Sequence, residues 1–464
     1  MMKRRSFIKL SQLMWVSALL STSCRVQEVQ NSAKKSQSIL IIGAGLAGLV
    51  AAKALKKQGY EVRVIEARDR LGGRTWTSNY WADAPVDLGA SWIHGVEGNL
   101  LTELAEEIDT PLVMTRYDNA IAYGQTGQPL TEAETETIQR LEQKFFEAIA
   151  VAQDADTDQS LQSLLEQAID WEAQPLKTQQ LIDFLANSMI EHEFAGSLSE
   201  LSMHWFDDAG AYSGDDAIFV EGYQAIVNHL AQDIPIELNQ IVATIDWATD
   251  SPKVSTTTQS FTADQVIITL PLGVLKSSQV QFIPALPAPK LQAIQALGMG
   301  VLNKCYLRFP NVFWPEQVDW IEQVATERGL WTEWVNLFPV TQSPILLGFN
   351  AATKGKEIET WTDEAIVDSA MKTLQRLFGK DIPPPIDYQI TRWQADPFAR
   401  GSYSFNAVGS TPAMRDRLAE SLDNQLFFAG EATERNYFAT AHGAYLSGLR
   451  VAQEIADIAL AEKR

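Results

Sequence analysis

The sequence predicts a mixed α/β fold, α+β in part, in which a domain of parallel strands and helices is interleaved with a second domain of mixed sheet plus helices. Three observations carry this. Ser38 to Arg70 alternates strand, turn, helix and strand; residues 100–195 become long helical stretches; short strand patterns then return, up to a final strand, loop and helix after Asp423. With 464 residues, 46% of them hydrophobic, the chain exceeds one ordinary domain and can bury a large core.

The elements follow in order. Residues 1–10, MMKRRSFIKL, are basic, and Leu10–Leu20 is an apolar run too short to span a bilayer as a folded helix. This predicts an export signal, and Lys3-Arg4-Arg5-Ser6-Phe7 resembles the twin-arginine type. The expected location is therefore exported, periplasmic or membrane-anchored facing outward. Cys24 follows LLSTS, loosely similar to a lipoprotein processing site, so a membrane tether is expected through Cys24 alone. Cys24 and Cys305 are the two cysteines, which rules out a disulfide framework. A net charge of −21 disfavours nucleic acid and anionic lipid as partners and favours a cationic substrate.

These shifts divide the chain into a signal and linker at 1–37, a discontinuous first domain at 38–100, 235–300 and 390–464, and a second at 101–234 and 301–389. The motif Gly43-Ala44-Gly45-Leu46-Ala47-Gly48 fits GxGxxG. A strand precedes it, a helix follows, and Glu66 ends the next strand, so it reads as a Rossmann-like turn. The glycines let backbone N–H groups approach a pyrophosphate at a helix N-terminus, and the acid accepts from ribose hydroxyls. Arg68-Asp69-Arg70-Leu71-Gly72-Gly73-Arg74-Thr75 follows directly, and its arginines suit a diphosphate.

With this extension the chain resembles the flavin-containing amine oxidase family, in its polyamine (spermidine/spermine) oxidase branch, from Ser38 to Ala459. VDLGASWIHG at 86–95 is similar to the segment that passes the flavin ring, which implies Gly89, Ala90, Ser91 and Trp92 as cofactor contacts, with Val242 a further one. TLPLGVLK at 269–276 is similar to a strand returning to the cofactor domain. FFAGEATERNYFATAHGAYLSG at 427–448 is similar to a second FAD-contacting segment, where Glu431 would bind ribityl hydroxyls and Ala441 would face the flavin. Ser402 stands where monoamine oxidases carry a flavin-bonding cysteine, so noncovalent FAD is implied. The resemblance puts Tyr403 on one wall of the substrate site, Thr440 where a second tyrosine would complete a cage, and Trp393 near the flavin. One ring beside an open side suits a long flexible cation.

MGVLNKCYLRF, at 299–309, reads as a buried strand with Lys304 in its middle, yet no acid occurs between Asp264 and Glu316. A buried ammonium needs partners from elsewhere in the chain. The resemblance makes Lys304 the family's flavin lysine, which holds a water against flavin N5. The water and the reduced flavin are then expected to be its partners, and no carboxylate is expected beside it. His94, in SWIHG, is the second catalytic candidate, able to bind or deprotonate an amine. No histidine spacing suggests a metal site. Glu191, Glu193, Asp207, Asp208, Asp215 and Asp216 cluster in sequence, and one or two are expected to bind distal ammonium groups.

The implied activity is FAD-dependent oxidation of a small-molecule polyamine, with hydride transfer to flavin N5, imine hydrolysis and release of hydrogen peroxide from O2. Three alternatives stand beside it. An L-amino acid oxidase for basic amino acids needs a carboxylate clamp, for which Arg116 or Arg392 would serve because Trp92 replaces the usual arginine. The likeness of NYFATAHGAYLSG to histone demethylases suggests that role, against which the export signal argues. A non-catalytic flavin-binding polyamine sensor is the third.

Overall fold

The computed structural model describes residues 37–153 and 155–461. The predicted export signal and Cys24 lie outside the described residues. Ser38–Ile42 is a short apolar run, as a parallel strand buried on both faces requires. It sits central in a five-stranded parallel sheet, in the order Leu426–Phe428, Gln265–Ile268, Ser38–Ile42, Glu61–Ile65, Ile236–Glu237. Ile39 and Ile41 pack against the helix Leu46–Lys57, whereas Leu40 and Ile42 face a separate core with Val266 and Phe428. The final helix, Ala441–Ala461, lies on Leu46–Lys57 at close range. A Cβ on Gly448 would stand 2.4 Å from the Ala47 carbonyl oxygen, so only glycine permits that approach.

Two sequence expectations change. TLPLGVLK is not a strand throughout: pairing ends at Ile268 and Leu272–Lys276 is a helical turn. Pro271 fixes its own φ and has no N–H for a ladder, so the strand cannot continue through it. The second change concerns the domain boundary. Leu100–Glu107 and Gln224–Ala231, placed by sequence in the second domain, bury Leu101, Leu104, Ile226 and Val227 in the same core as Leu46–Lys57. Composition marked where the chain becomes helical, not which core an apolar face joins.

The second sheet has six strands in the order Asp387–Ile390, Leu302–Arg308, Ile345–Ala351, Glu333–Asn336, Trp320–Gln323, Ala120–Tyr123. Alternation sends Tyr306, Leu347, Phe349, Val335 and Trp320 to one face, and Cys305, Leu307, Leu346 and Trp334 to the other. Lys304 pairs with Phe349, and Trp334 with Gly348, so Lys304, Phe349 and Glu333 form one row on the first of these faces. The helices Glu132–Ala152, Leu161–Ile169 and Leu176–Leu185 build a further core of their own. The last of them runs into a π-helical turn, Ala186–Glu191, and ends at His192–Phe194.

Candidate active site

A cavity of about 670 Å³ runs from the turn after Ser38–Ile42 to the lysine-bearing face of the second sheet. At the first end the wall is mostly backbone. Gly43 has φ +107°, and a Cβ on Gly48 would lie 2.0 Å from the Gly43 carbonyl oxygen, so the turn and helix close tightly only with glycines. The helix starts at Gly45 with no side-chain cap, leaving N–H groups of its first turn toward the cavity. Glu66 lines the same end and accepts from the Ala44 and Arg68 N–H groups at 2.8 and 2.9 Å. Those bonds fix the carboxylate, which retains lone pairs for hydroxyl groups. Gln240 and Val242 complete this end.

The two arginines expected at the cofactor are each paired with an acid. Arg68 lines the cavity, and its guanidinium donates two bonds, each 2.8 Å, to Asp396. An acid 328 residues away claims its fork geometry, which local sequence does not reveal. Arg74 donates to Glu431 at 2.8 Å and to the Ser402 carbonyl at 2.9 Å. The other Glu431 oxygen accepts from the Ser404 hydroxyl and the Ala439 N–H. Arg74 ahead of the Ser404 hydroxyl bond holds Glu431 below its ordinary pKa against the opposing effect of burial. A Cβ on Gly430 would meet no protein atom within 4 Å, so space is kept open beside this pair.

Midway, Lys304 is 5% exposed. Its Nζ donates to the Asp87 carbonyl at 2.9 Å, the Gly89 carbonyl at 2.6 Å and the Ser91 hydroxyl at 2.5 Å. Burial lowers its pKa, and the Asp87 carboxylate opposes that; burial likewise raises Asp87. This corrects the expected partners. The protein itself supplies three acceptors, and a buried acid does stand nearby in space though none does in sequence. The bonds also tie down the Gly89, Ala90, Ser91 and Trp92 wall. Trp393 packs edge-on to Trp76 and donates from Nε1 to the Leu88 carbonyl at 3.1 Å. The Ser402 hydroxyl accepts from the Leu302 N–H at 2.9 Å.

The far end is an aromatic chamber. Trp92, Trp320 and Phe349 pack with ring centroids 5.8 to 6.2 Å apart, and Tyr117 stacks on Trp320 at 4.7 Å. His94 lines the chamber with Nδ1 2.7 Å from Asp216, whose other oxygen accepts from the Gly95 N–H. An acid that accepts twice places the proton on Nδ1 and leaves Nε2 as the basic nitrogen. Tyr403 is on the wall, its hydroxyl donating to the His192 carbonyl at 2.9 Å, and Thr440 and Ala441 lie opposite at the start of the last helix. Of the sequence's acidic cluster, Glu193 and Asp207 line the cavity, Asp216 holds His94, and Glu191, Asp208 and Asp215 are not in the wall.

Two lining residues escaped the sequence reading, His192 and Glu333, joined by a 2.5 Å contact between Nδ1 and a carboxylate oxygen. The π-helical turn just before His192 reorients it into the cavity, and such turns concentrate at functional sites. Arg116 and Arg392 are not in the wall: Arg116 pairs with Asp118 and Arg392 with Asp363. Among the described residues no group of three or more metal-ligating side chains occurs.

The turn, the glycine cradle, and the Glu66 and Glu431 arrangement fit a flavin dinucleotide seated over two sheets. Comparison agrees, since a family model described as flavin containing amine oxidoreductase matches residues 46–456. The chain belongs to that family, and FAD is its cofactor. It is 36% identical over 440 residues to lysine-specific histone demethylase 1 homolog 2 of Arabidopsis thaliana, covering 91% of this chain and 59% of the relative. It is 34% identical to polyamine oxidase 2 of Arabidopsis thaliana, covering 90% and 88%, and 33% identical to polyamine oxidase 4 of Oryza sativa subsp. japonica, covering 94% and 92%. The chain thus spans little more than half the length of its demethylase relatives. A solved putrescine oxidase variant shares the fold, with a TM-score of 0.75 at 22% identity over 91% of this chain and 99% of that one.

Proposed function

We propose that the chain is an exported, FAD-dependent amine oxidase acting on polyamines of the spermidine and spermine type. The observation that carries this is one cavity in which a glycine-built dinucleotide cradle opens, past Lys304, into an aromatic chamber, and whose wall also holds Glu193, Asp207 and Glu333. Rings pack the methylenes of a flexible chain and attract its cationic ends, and the carboxylates favour ammonium over carboxylate. The cavity arginines, Arg68 and Arg74, are both held by acids, which weighs against an amino acid oxidase. A flavin-binding sensor would not need the basic His94 nitrogen.

Gly43, Gly45, the first turn after Gly45, Glu66, Arg74 and Glu431 would hold FAD, noncovalently since Ser402 stands at the covalent-link position. FAD held there would supply the hydride acceptor and the route for electrons to oxygen. The chain's residues do the rest. Asp216 orients His94 so that Nε2 takes a proton from the incoming ammonium, giving the neutral amine that oxidation requires. The aromatic walls exclude water and align the chain of the substrate. Lys304, through its bonds to Asp87, Gly89 and Ser91, holds the 87–91 segment in place beside the reacting centre.

Anaerobic mixing of purified holoprotein with spermidine tests the reading: the flavin band near roughly 450 nm should bleach. Peroxide release compared across spermine, spermidine, putrescine, arginine, a monoamine and a methyl-lysine peptide then decides the substrate class. A flavin that no amine bleaches would overturn the oxidase, and a preference for arginine or the peptide would overturn the polyamine assignment.

A further inference from the structure

We infer that Arg415, which lies outside the cavity wall, is a positioning residue for the cofactor: it orients Glu431 through Ser404 and braces the wall segment Phe438-Ala439-Thr440. The inference rests on the cofactor assignment above and is independent of which amine is oxidised. Arg415 projects from the short helix Ala413–Ala419 and is fully buried. A guanidinium sealed from water is costly unless its donors are met, and here they are met on the side of Glu431. Its Nε donates to the Asn406 side-chain oxygen at 3.0 Å, and Nη1 donates to the Ser404 hydroxyl at 2.8 Å and the Ala432 carbonyl at 3.3 Å. Burial lowers its pKa to about 10, with Glu431 the largest opposing influence, so it stays cationic at neutral pH.

The Ser404 hydroxyl has one proton and donates it to Glu431 at 2.6 Å, so toward Arg415 it can only accept. The result is a relay from guanidinium to hydroxyl to carboxylate, in which each bond polarises the next. The same carboxylate oxygen accepts from the Ala439 N–H at 3.0 Å, while the other accepts from Arg74. Glu431 is thus held between two cations, Arg74 directly and Arg415 through one hydroxyl, and the three groups together carry a net positive charge.

Ala439 shows what this arrangement holds in place. Its φ is +64°, in the left-handed region that any residue with a Cβ resists. Such strain persists only where the surroundings over-determine it. Two constraints converge here: Glu431 takes the Ala439 N–H, and the Arg415 guanidinium lies over the Phe438 ring, 3.9 Å from its centroid. Phe438, Ala439 and Thr440 line the cavity, and the Thr440 hydroxyl accepts from the Gly443 N–H at the start of the final helix. One buried cation therefore fixes both the carboxylate assigned to FAD and the strained wall beside it.

The test follows FAD release from the holoenzyme, read as the rise in flavin fluorescence after dilution. Arg415→Met should speed release about 10- to 100-fold, the range for loss of a charge-assisted bond, and Ser404→Ala about 3- to 30-fold. Both act on Glu431 by one path, so the double variant should release FAD within about 2-fold of Arg415→Met alone. If each residue merely supported packing, the two fold-changes would multiply. Multiplied losses in the double variant, or release at the wild-type rate in Arg415→Met, would overturn the inference. Should Arg415→Met fail to fold, Ser404→Ala decides alone, since it removes one oxygen and keeps the cation: faster release supports the relay and an unchanged rate overturns it. Failure of the cofactor assignment would appear separately, as wild-type protein that retains no flavin.

Discussion

The two ends of the cavity are built by opposite means. At the dinucleotide end the wall is backbone: a tight glycine turn, the N–H groups of a starting helix and a carboxylate fixed by two main-chain donors. At the amine end the wall is side chains, assembled from a sheet row, a π-helical turn and a loop that come from distant parts of the sequence. A backbone cradle tolerates no added atom but is indifferent to most neighbouring side chains. A side-chain chamber tolerates backbone variation but is defined by individual charges. Substitutions at the first end should abolish the holoprotein, and those at the second should alter what it does.

The largest effect is therefore expected at Gly48. A Cβ there would lie 2.0 Å from the Gly43 carbonyl oxygen and 3.3 Å from Ile41 Cγ2, both inside the first strand and turn. Gly48→Val should give protein without bound FAD, measured as loss of flavin absorbance in the purified fraction, and holoprotein in normal yield would break the comparison. Lys304→Met comes next. It removes the donor to the Gly89 carbonyl and one bond each from the Asp87 carbonyl, which still accepts from Tyr306, and the Ser91 hydroxyl, which still donates to Asp87. Stability in urea should fall by about 1–3 kcal/mol, with FAD retained. Flavin reduction or reoxidation should slow by about 10²-fold or more in stopped flow, as for loss of a positioned proton-handling group. Normal turnover would make Lys304 a structural member of the 87–91 segment.

The same contrast explains what the sequence made legible. GAGLAG, Glu66 and the flanking strand and helix are contiguous, so their geometry follows from local rules. Lys304 was visible as a charge inside an apolar run, and Glu333 carries the same signal in LWTEWVNLF. The first drew attention because a family segment surrounds it; the second is equally anomalous on physical grounds. What could not be read were partners. The acceptors of Lys304 lie more than 200 residues upstream, Arg68 is claimed by Asp396, and His192 faces the cavity after a turn that departs from 3.6 periodicity. The boundary between domains failed for a related reason: an amphipathic helix announces that it has an apolar face, not which core receives it.

Asp207 gives the smallest expected effect and the sharpest sign. It lines the cavity, and burial, with Asp208 adding repulsion, raises its pKa from 3.8 to about 6. An acid with a raised folded pKa leaves the fold most stable where both states are protonated. That contribution is fully present below about pH 4 and is lost as pH rises through about 6. At pH 7 the protein therefore holds an ionised acid at a net cost. Asp207→Asn keeps an oxygen for the Gln153 amide, now 3.0 Å from the carboxylate, while removing the charge. It should stabilise the protein at pH 7 by about 1–3 kcal/mol, and the gain should vanish near pH 4. Denaturation midpoints at the two pH values measure this. A variant destabilised equally at both would mean that Asp207 serves packing rather than holding a charge in the cavity wall.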